Sequence, residues 1–211
     1  MSETNYFLEK PLKDVDTFKD LGVTITRDLS RGNHISITVN KANKVLGSIK
    51  RSVGTANTNV FSMLCKSLFR PILKYAVPVW CPYLVKDIYA LENVQRRVSR
   101  LALNQCKGYM SYEDRCKLLK WTILSDRRIY LSLAECYKIA FGFYHLKFED
   151  FFEFATIQST RANDQYKLYV KPARLNCYKH SFFVRTVKLW NELPGDIVEA
   201  DSFQLFKSKL K

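Results

Sequence analysis

Glycine is scarce in this chain: there are 7 among 211 residues, all scattered. No glycine-rich loop is available to cradle a phosphate, and no Gly-x-Ser-x-Gly elbow presents a nucleophile. The three histidines, His34, His145 and His180, stand apart. With no Cys-x-x-Cys and no Cys/His cluster at ligand spacing, the sequence predicts no metal and no cofactor. No apolar run reaches the ~18 residues of a membrane-crossing helix, so membrane contact is at most peripheral. The six cysteines (Cys65, Cys81, Cys106, Cys116, Cys136, Cys177) are widely spaced, and several occupy apolar helical positions. In the absence of a secretory leader they predict free thiols in a reducing, intracellular compartment, cytoplasmic or nuclear. Internal repeats and low-complexity segments are also lacking.

What is present is hydrophobic and basic. Hydrophobic residues make up 47% of the chain and aromatics 14%, the composition of a globular protein. Lys and Arg number 34 against 20 Asp and Glu, a net charge of +14. That excess favours a polyanionic partner; the plain alternative is a basic, solvated surface.

The densest apolar stretch is Lys66 to Leu84. Leu64, Leu68, Ile72, Tyr75 and Val79 recur at steps of three and four, which predicts a helix over 60–77. Pro71 predicts a kink within it, and Pro78 an end to it. Trp80 falls at the corner that follows and is expected to be buried. Before this stretch, residues 1–5 are polar and expected to fray. Tyr6 to Leu12 and Phe18 to Thr26 read as two short strands, with a bulge at Gly22. Asn33 is a plausible cap for a helix over 34–53, whose stripe is Ile35, Val39, Ala42, Leu46, Ile49 and Val53, stopped by Gly54.

Beyond the corner, a helix over 86–104 buries Ile88, Leu91, Val94, Val98 and Leu101. Arg96, Arg97 and Arg100 share its other face, within about 100° of arc. Ser111 and Asp114 form a capping box for a short helix. Ser125 caps a helix over 126–146, apolar on most sides and expected to pack on the 60–77 helix. Asp150 to Phe154 reads as a surface turn. Residues 155–181 are polar and basic, carrying Arg161, Lys167, Lys171, Arg174 and Lys179, with weak β character. Helices at 182–193, stopped by Pro194-Gly195, and after Ser202 complete the chain. The fold expected is mainly α: a helical bundle with a small N-terminal β-hairpin and an irregular, weakly β segment near 160–180. Its domains would be 1–154, and 155–211 packed on it.

Lys66-Ser67-Leu68-x-Arg70-Pro71-Ile72-Leu73-x-Tyr75-Ala76-x-Pro78-Val79-Trp80 resembles a segment of one known family. It is the segment just beyond the polymerase core of metazoan non-long-terminal-repeat retrotransposon reverse transcriptases, the jockey-like group. Val94 to Arg97, Phe182-Phe183-x-Arg185, Trp190-Asn191-x-Leu193-Pro194 and Phe203-x-x-Phe206-Lys207 are similar to later parts of the same family. Lys19 to Val23 resembles its element leading from palm to thumb. The resemblance runs from Tyr6 to Lys211. It implies a thumb-and-tail region. The family's catalytic aromatic-x-Asp-Asp turn has no counterpart, since no two aspartates are adjacent here, so no catalytic residue carries over.

The expectation is therefore a catalytically incomplete part of an RNA-directed DNA polymerase. It would bind RNA/DNA hybrid or duplex without sequence preference through Lys44, Arg51, Arg96, Arg97 and Arg100, and would take no small-molecule substrate. Two alternatives stay open. One is a helical protein-interaction remnant that binds no nucleic acid; the other is a piece of a longer, active reading frame. Weak pairs such as His180-Ser181, Glu113/Asp114 and Glu149/Asp150 are better explained by chance and by helix starts than by catalysis.

Overall fold

The computed structural model of the chain describes residues 6–7, 10–11, 14–54, 57–104, 110–155 and 166–210. The expected fraying of residues 1–5, and Cys106 and Arg161, lie outside them. Two small antiparallel hairpins come first. β1 (Tyr6–Phe7) pairs with β2 (Lys10–Pro11), and β3 (Thr17–Asp20) pairs with β4 (Val23–Thr26). Each of the two predicted strands is thus a hairpin. In the second, Asp20 faces Val23 across a two-residue loop, and Leu21 (φ 43) and Gly22 (φ 85) both have positive φ. Such a loop matches the twist of the strands it joins, so Gly22 serves a tight turn and not a bulge.

α1 (Gly32–Val53) carries most of the expected stripe: Ile35, Ala42, Leu46 and Ile49 are buried and Val39 is half-buried, but Val53 in the last turn is exposed. Gly54, at φ 63, terminates it as expected. Asn33 is not its cap, because the helix starts two residues earlier than expected and Arg31 occupies the cap position without a side-chain bond.

The 60–77 region departs furthest from the expectation. α2 (Thr58–Leu64), capped by the Asn57 side chain, runs into a π-turn (Cys65–Phe69) and then α3 (Arg70–Lys74). The Arg70 N–H bonds the Cys65 carbonyl, five residues back. The irregularity therefore precedes Pro71, which sits in the first turn of α3, where its missing N–H costs no bond. A π-turn adds one residue, so a 3.6-residue period carried through it is about 100° out of phase. The expected stripe is accordingly split: Leu68, Tyr75 and Val79 are turned outward, 51%, 56% and 61% exposed, whereas Leu64 and Ile72 are half-buried against the first core. Phe61, Cys65, Phe69, Leu73 and Val77, at sustained steps of four, are buried instead.

What ends α3 is Ala76 in the left-handed region, at φ 51, and Pro78 opens the next short helix, α4 (Val77–Trp80), rather than closing the last. Trp80 is 2% exposed, as expected.

α5 (Val85–Ala102), α6 (Tyr112–Leu118) and α7 (Leu124–Ala140) follow. Ser111 caps α6 by accepting from the Asp114 N–H. Ser125 does not cap α7; its N–H is donated to the buried Glu92 carboxylate at 2.8 Å. α7 also stops six residues short of the expected end, with Gly142 at φ 69 just beyond it. Its main neighbours are α4, α5 and α9 (Phe182–Asn191), whereas α1 and α5 are the main partners of the segment from α2 to α3. The reason is that α7 serves two cores. Leu124 at its start joins the first, with Trp80, Leu91, Val98 and Trp121; Leu133, Cys136 and Tyr137 belong to a second.

That second core also takes Phe152, Leu168, Trp190 and Phe206. Phe152 is thus a core residue and not part of a surface turn. A 3-10 turn (Phe148–Asp150) leads to a single antiparallel bridge, Phe154 to Leu168. The Asn191 side chain bonds both the N–H and the carbonyl of Leu168, and the Trp190 indole donates to the Tyr166 carbonyl. α8 (Asn176–Lys179), α9, α10 (Gly195–Val198) and α11 (Phe203–Lys209) close the fold, with Ser202 capping α11 as expected. The fold is mainly helical with a small N-terminal antiparallel element. No helix among the described residues is long and apolar enough to cross a membrane.

Glu92 binds α5, α6 and α7 together. One carboxylate oxygen accepts from Ser125 N–H and from Arg128 at 3.3 Å, the other from the Tyr112 hydroxyl at 2.7 Å. Gln95 donates to Tyr112 and to the Thr122 carbonyl. Removing one partner of a buried pair leaves the other charge uncompensated. Glu92→Leu is expected to cost about 3–5 kcal/mol in urea unfolding, with much of it recovered in Glu92→Leu/Arg128→Met. Equal losses in the single and double variants would contradict this coupling.

Candidate nucleic-acid interface

Of the five expected cations, two lie on α1 and three on α5, and these helices pack against each other. On α1, Lys44 and Arg51 are exposed and lie about 160–180° around the helix from buried Ala42. Arg51 donates to the Ser48 hydroxyl, at 3.3 Å. On α5, Arg97 and Arg100 are exposed. Arg97 donates to the Asn43 side chain at 3.4 Å, which marks the flank where the two helices meet. Lys50, seven residues after Asn43 and exposed, shares that flank. Sequence periodicity missed Lys50, because only the neighbour across the groove distinguishes it from other exposed lysines.

Arg96 differs from the other four. It is half-buried, with its guanidinium 4.9 Å from the Tyr112 ring and 5.9 Å from the Tyr89 ring, and its Nε is shielded with no acceptor among the described residues. It is tied to the α5–α6 packing rather than standing free on a solvated face. Desolvation holds the buried Arg115 guanidinium below its ordinary value, and Arg100 and Arg96 push it further down. Positive charge therefore concentrates at this end of α5. No ion pair among the described residues uses Lys44, Arg51, Arg96, Arg97 or Arg100. Among the described residues, the surface thus offers cations with no carboxylate to displace.

A second concentration was not expected from sequence. Arg70 and Lys74 lie one turn apart on α3, and Arg127 is in the first turn of α7. Burial pushes the Lys74 amine down to about 8, and the nearby Arg70 and Arg127 charges add to that. The available signal was the spacing of four in Arg70-x-x-x-Lys74; Arg127, far along the chain, carried none.

An apolar cavity of about 520 Å³ opens between β4, α4 and α9, lined by Val23, Ile25, Val79, Trp80 and Phe182 among others. His34 in its wall is engaged: Nδ1 accepts from the Thr24 N–H, so Nε2 carries the proton facing the Thr38 hydroxyl. Burial lowers its pKa, which keeps it neutral at pH 7. The wall brings together no pair of titratable groups poised for acid–base work. The described cysteines are unpaired, and burial pushes the Cys65 thiol up to about 12, making it inert. No family model, curated protein or solved structure matches this chain.

The Lys74 titration has a definite sign. Its folded value lies below its ordinary 10.5, so the unfolded chain holds the extra proton between about pH 8 and 10.5, and stability rises across that window. Lys74→Met is expected to be more stable than the parent below pH 8 and to lose the rise. Urea midpoints measured from pH 7 to 10.5 check this; a parallel pair of curves would refute it.

Proposed function

We propose that the chain is a thumb-and-tail region of a non-long-terminal-repeat retrotransposon reverse transcriptase. It lacks the polymerase carboxylates and binds RNA/DNA hybrid or duplex through the basic α1–α5 surface without reading sequence. One observation carries the binding reading: exposed Lys44, Arg51, Arg97 and Arg100 on two packed helices, none held by a carboxylate among the described residues. Side chains of this kind neutralise phosphates and release counterions, and they carry no base preference by themselves. The family part of the reading is supported by the motifs at 66–80, 94–97, 182–194 and 203–207. With no adjacent aspartates to hold two metal ions, the chain alone performs no nucleotidyl transfer.

The reading has two tests. Four free cations each neutralising one phosphate give a slope of log K against log salt of about −3 to −4 on duplex. Arg97→Ala/Arg100→Ala is expected to reduce that slope by about 2 with folding nearly unchanged. Arg96 is left in place because its removal would disturb Tyr112. Absence of binding at moderate salt, or an affinity flat in salt, would favour the protein-interaction alternative. Purified chain given magnesium, nucleotides and primed template is expected to extend no primer, and extension would overturn that part.

A further inference from the structure

We propose that Arg70, Lys74 and Arg127, where α3 approaches the start of α7, form a binding site for a phosphate-class oxyanion. The proposal stands independently of the α1–α5 surface. Arg70 is 6% exposed. It donates one Nη to the Thr122 carbonyl at 3.1 Å and lies 5.8 Å from the Trp121 ring, but its Nε has no acceptor among the described residues. Arg127 is half-buried, lies 4.5 Å from the Tyr130 ring, and likewise has a shielded Nε without an acceptor. Lys74 is half-buried and in no ion pair among the described residues.

Three partly desolvated cations with no ion-pair partner among the described residues is a costly arrangement, since buried charges are ordinarily paired. A bound anion would remove the cost. Two guanidinium groups and an ammonium suit a multiply charged oxyanion with several acceptor oxygens, and a single carboxylate would leave charge unmatched. The depressed Lys74 titration is consistent with this, as the neighbours acting on it are both cations. The same chemistry is offered by a phosphate of a polynucleotide and by free phosphate or pyrophosphate.

Pyrophosphate added to the full chain tests the site. At ten times its Kd it is expected to raise the thermal midpoint by about 3 °C over sodium chloride of equal ionic strength. Lys74→Gln/Arg127→Gln is expected to abolish the rise, and Arg97→Ala/Arg100→Ala to keep it. In the unsubstituted chain, the Lys74 amine followed by NMR is expected to titrate at higher pH when pyrophosphate is present. A second arm uses a 12-nucleotide strand. A tenfold or greater loss of its affinity in Lys74→Gln/Arg127→Gln assigns the site to polynucleotide phosphate; unchanged affinity with the pyrophosphate response lost assigns it to the free anion. No midpoint rise beyond chloride, the same rise in the double variant, or an unmoved Lys74 titration would each overturn the proposal.

Discussion

The corner from Tyr75 to Tyr83 is what the two cores depend on. Two helix ends meet there, α3 and α4, and each leaves carbonyls with no intrahelical donor. Three side chains supply the donors. Trp80 folds back so that its indole N–H bonds the Tyr75 carbonyl at 2.7 Å. Arg185 on α9 donates to the Pro78 carbonyl at 2.8 Å and to the Ser132 hydroxyl on α7. Arg31, just before α1, donates to the Cys81 carbonyl at 2.8 Å and the His180 carbonyl at 2.7 Å. The N-terminal helix, the corner and the C-terminal segment are thereby joined by charge-assisted bonds to backbone, which are stronger than neutral ones.

This use of arginine changes how the net charge should be understood. Arg31 and Arg185 are bound to carbonyls and a hydroxyl, Arg115 is buried against Ser99, and Arg128 is paired with Glu92. Each counts toward the +14, yet none is displayed to a partner. The cations available to an external polyanion are fewer than composition suggests. They include Lys44 and Arg51 on the outward side of α1 and Arg97 and Arg100 on that of α5. Long-range attraction follows the total charge, whereas contact and specificity follow only the exposed subset.

The legible parts of the fold are those where one helix faces one core. α1 is such a case: its three-and-four stripe is the buried face, and Gly54 ends it. Ser111 and Ser202 also cap as their spacing predicts, because capping is decided within four residues. Trp80 was legible as a buried corner. The π-turn at Cys65 was not, since its extra residue is tolerated only when neighbouring helices fill the shifted face. The turn at Leu21 was hidden because leucine seldom adopts positive φ; the Tyr75 hydroxyl bonding the Leu21 carbonyl at 2.6 Å comes from far along the chain. In the site, Lys44, Arg51, Arg97 and Arg100 were legible as outward-facing, whereas the engagement of Arg96 with Tyr112 was not.

By itself, the sequence determined the helical class, the caps at Ser111 and Ser202, the basic excess and the lack of two adjacent aspartates, because these rest on composition or on contacts within about one helical turn. The tertiary structure alone decided the phase of the helix beyond Cys65, the sharing of α7 between two cores, and which arginines are spent on carbonyls and which face outward. Those outcomes depend on side chains brought together from positions 50 to 149 residues apart, as in the Arg31 bonds to Cys81 and His180. No local periodicity encodes such a meeting, since it exists only once the packed cores hold both ends in place.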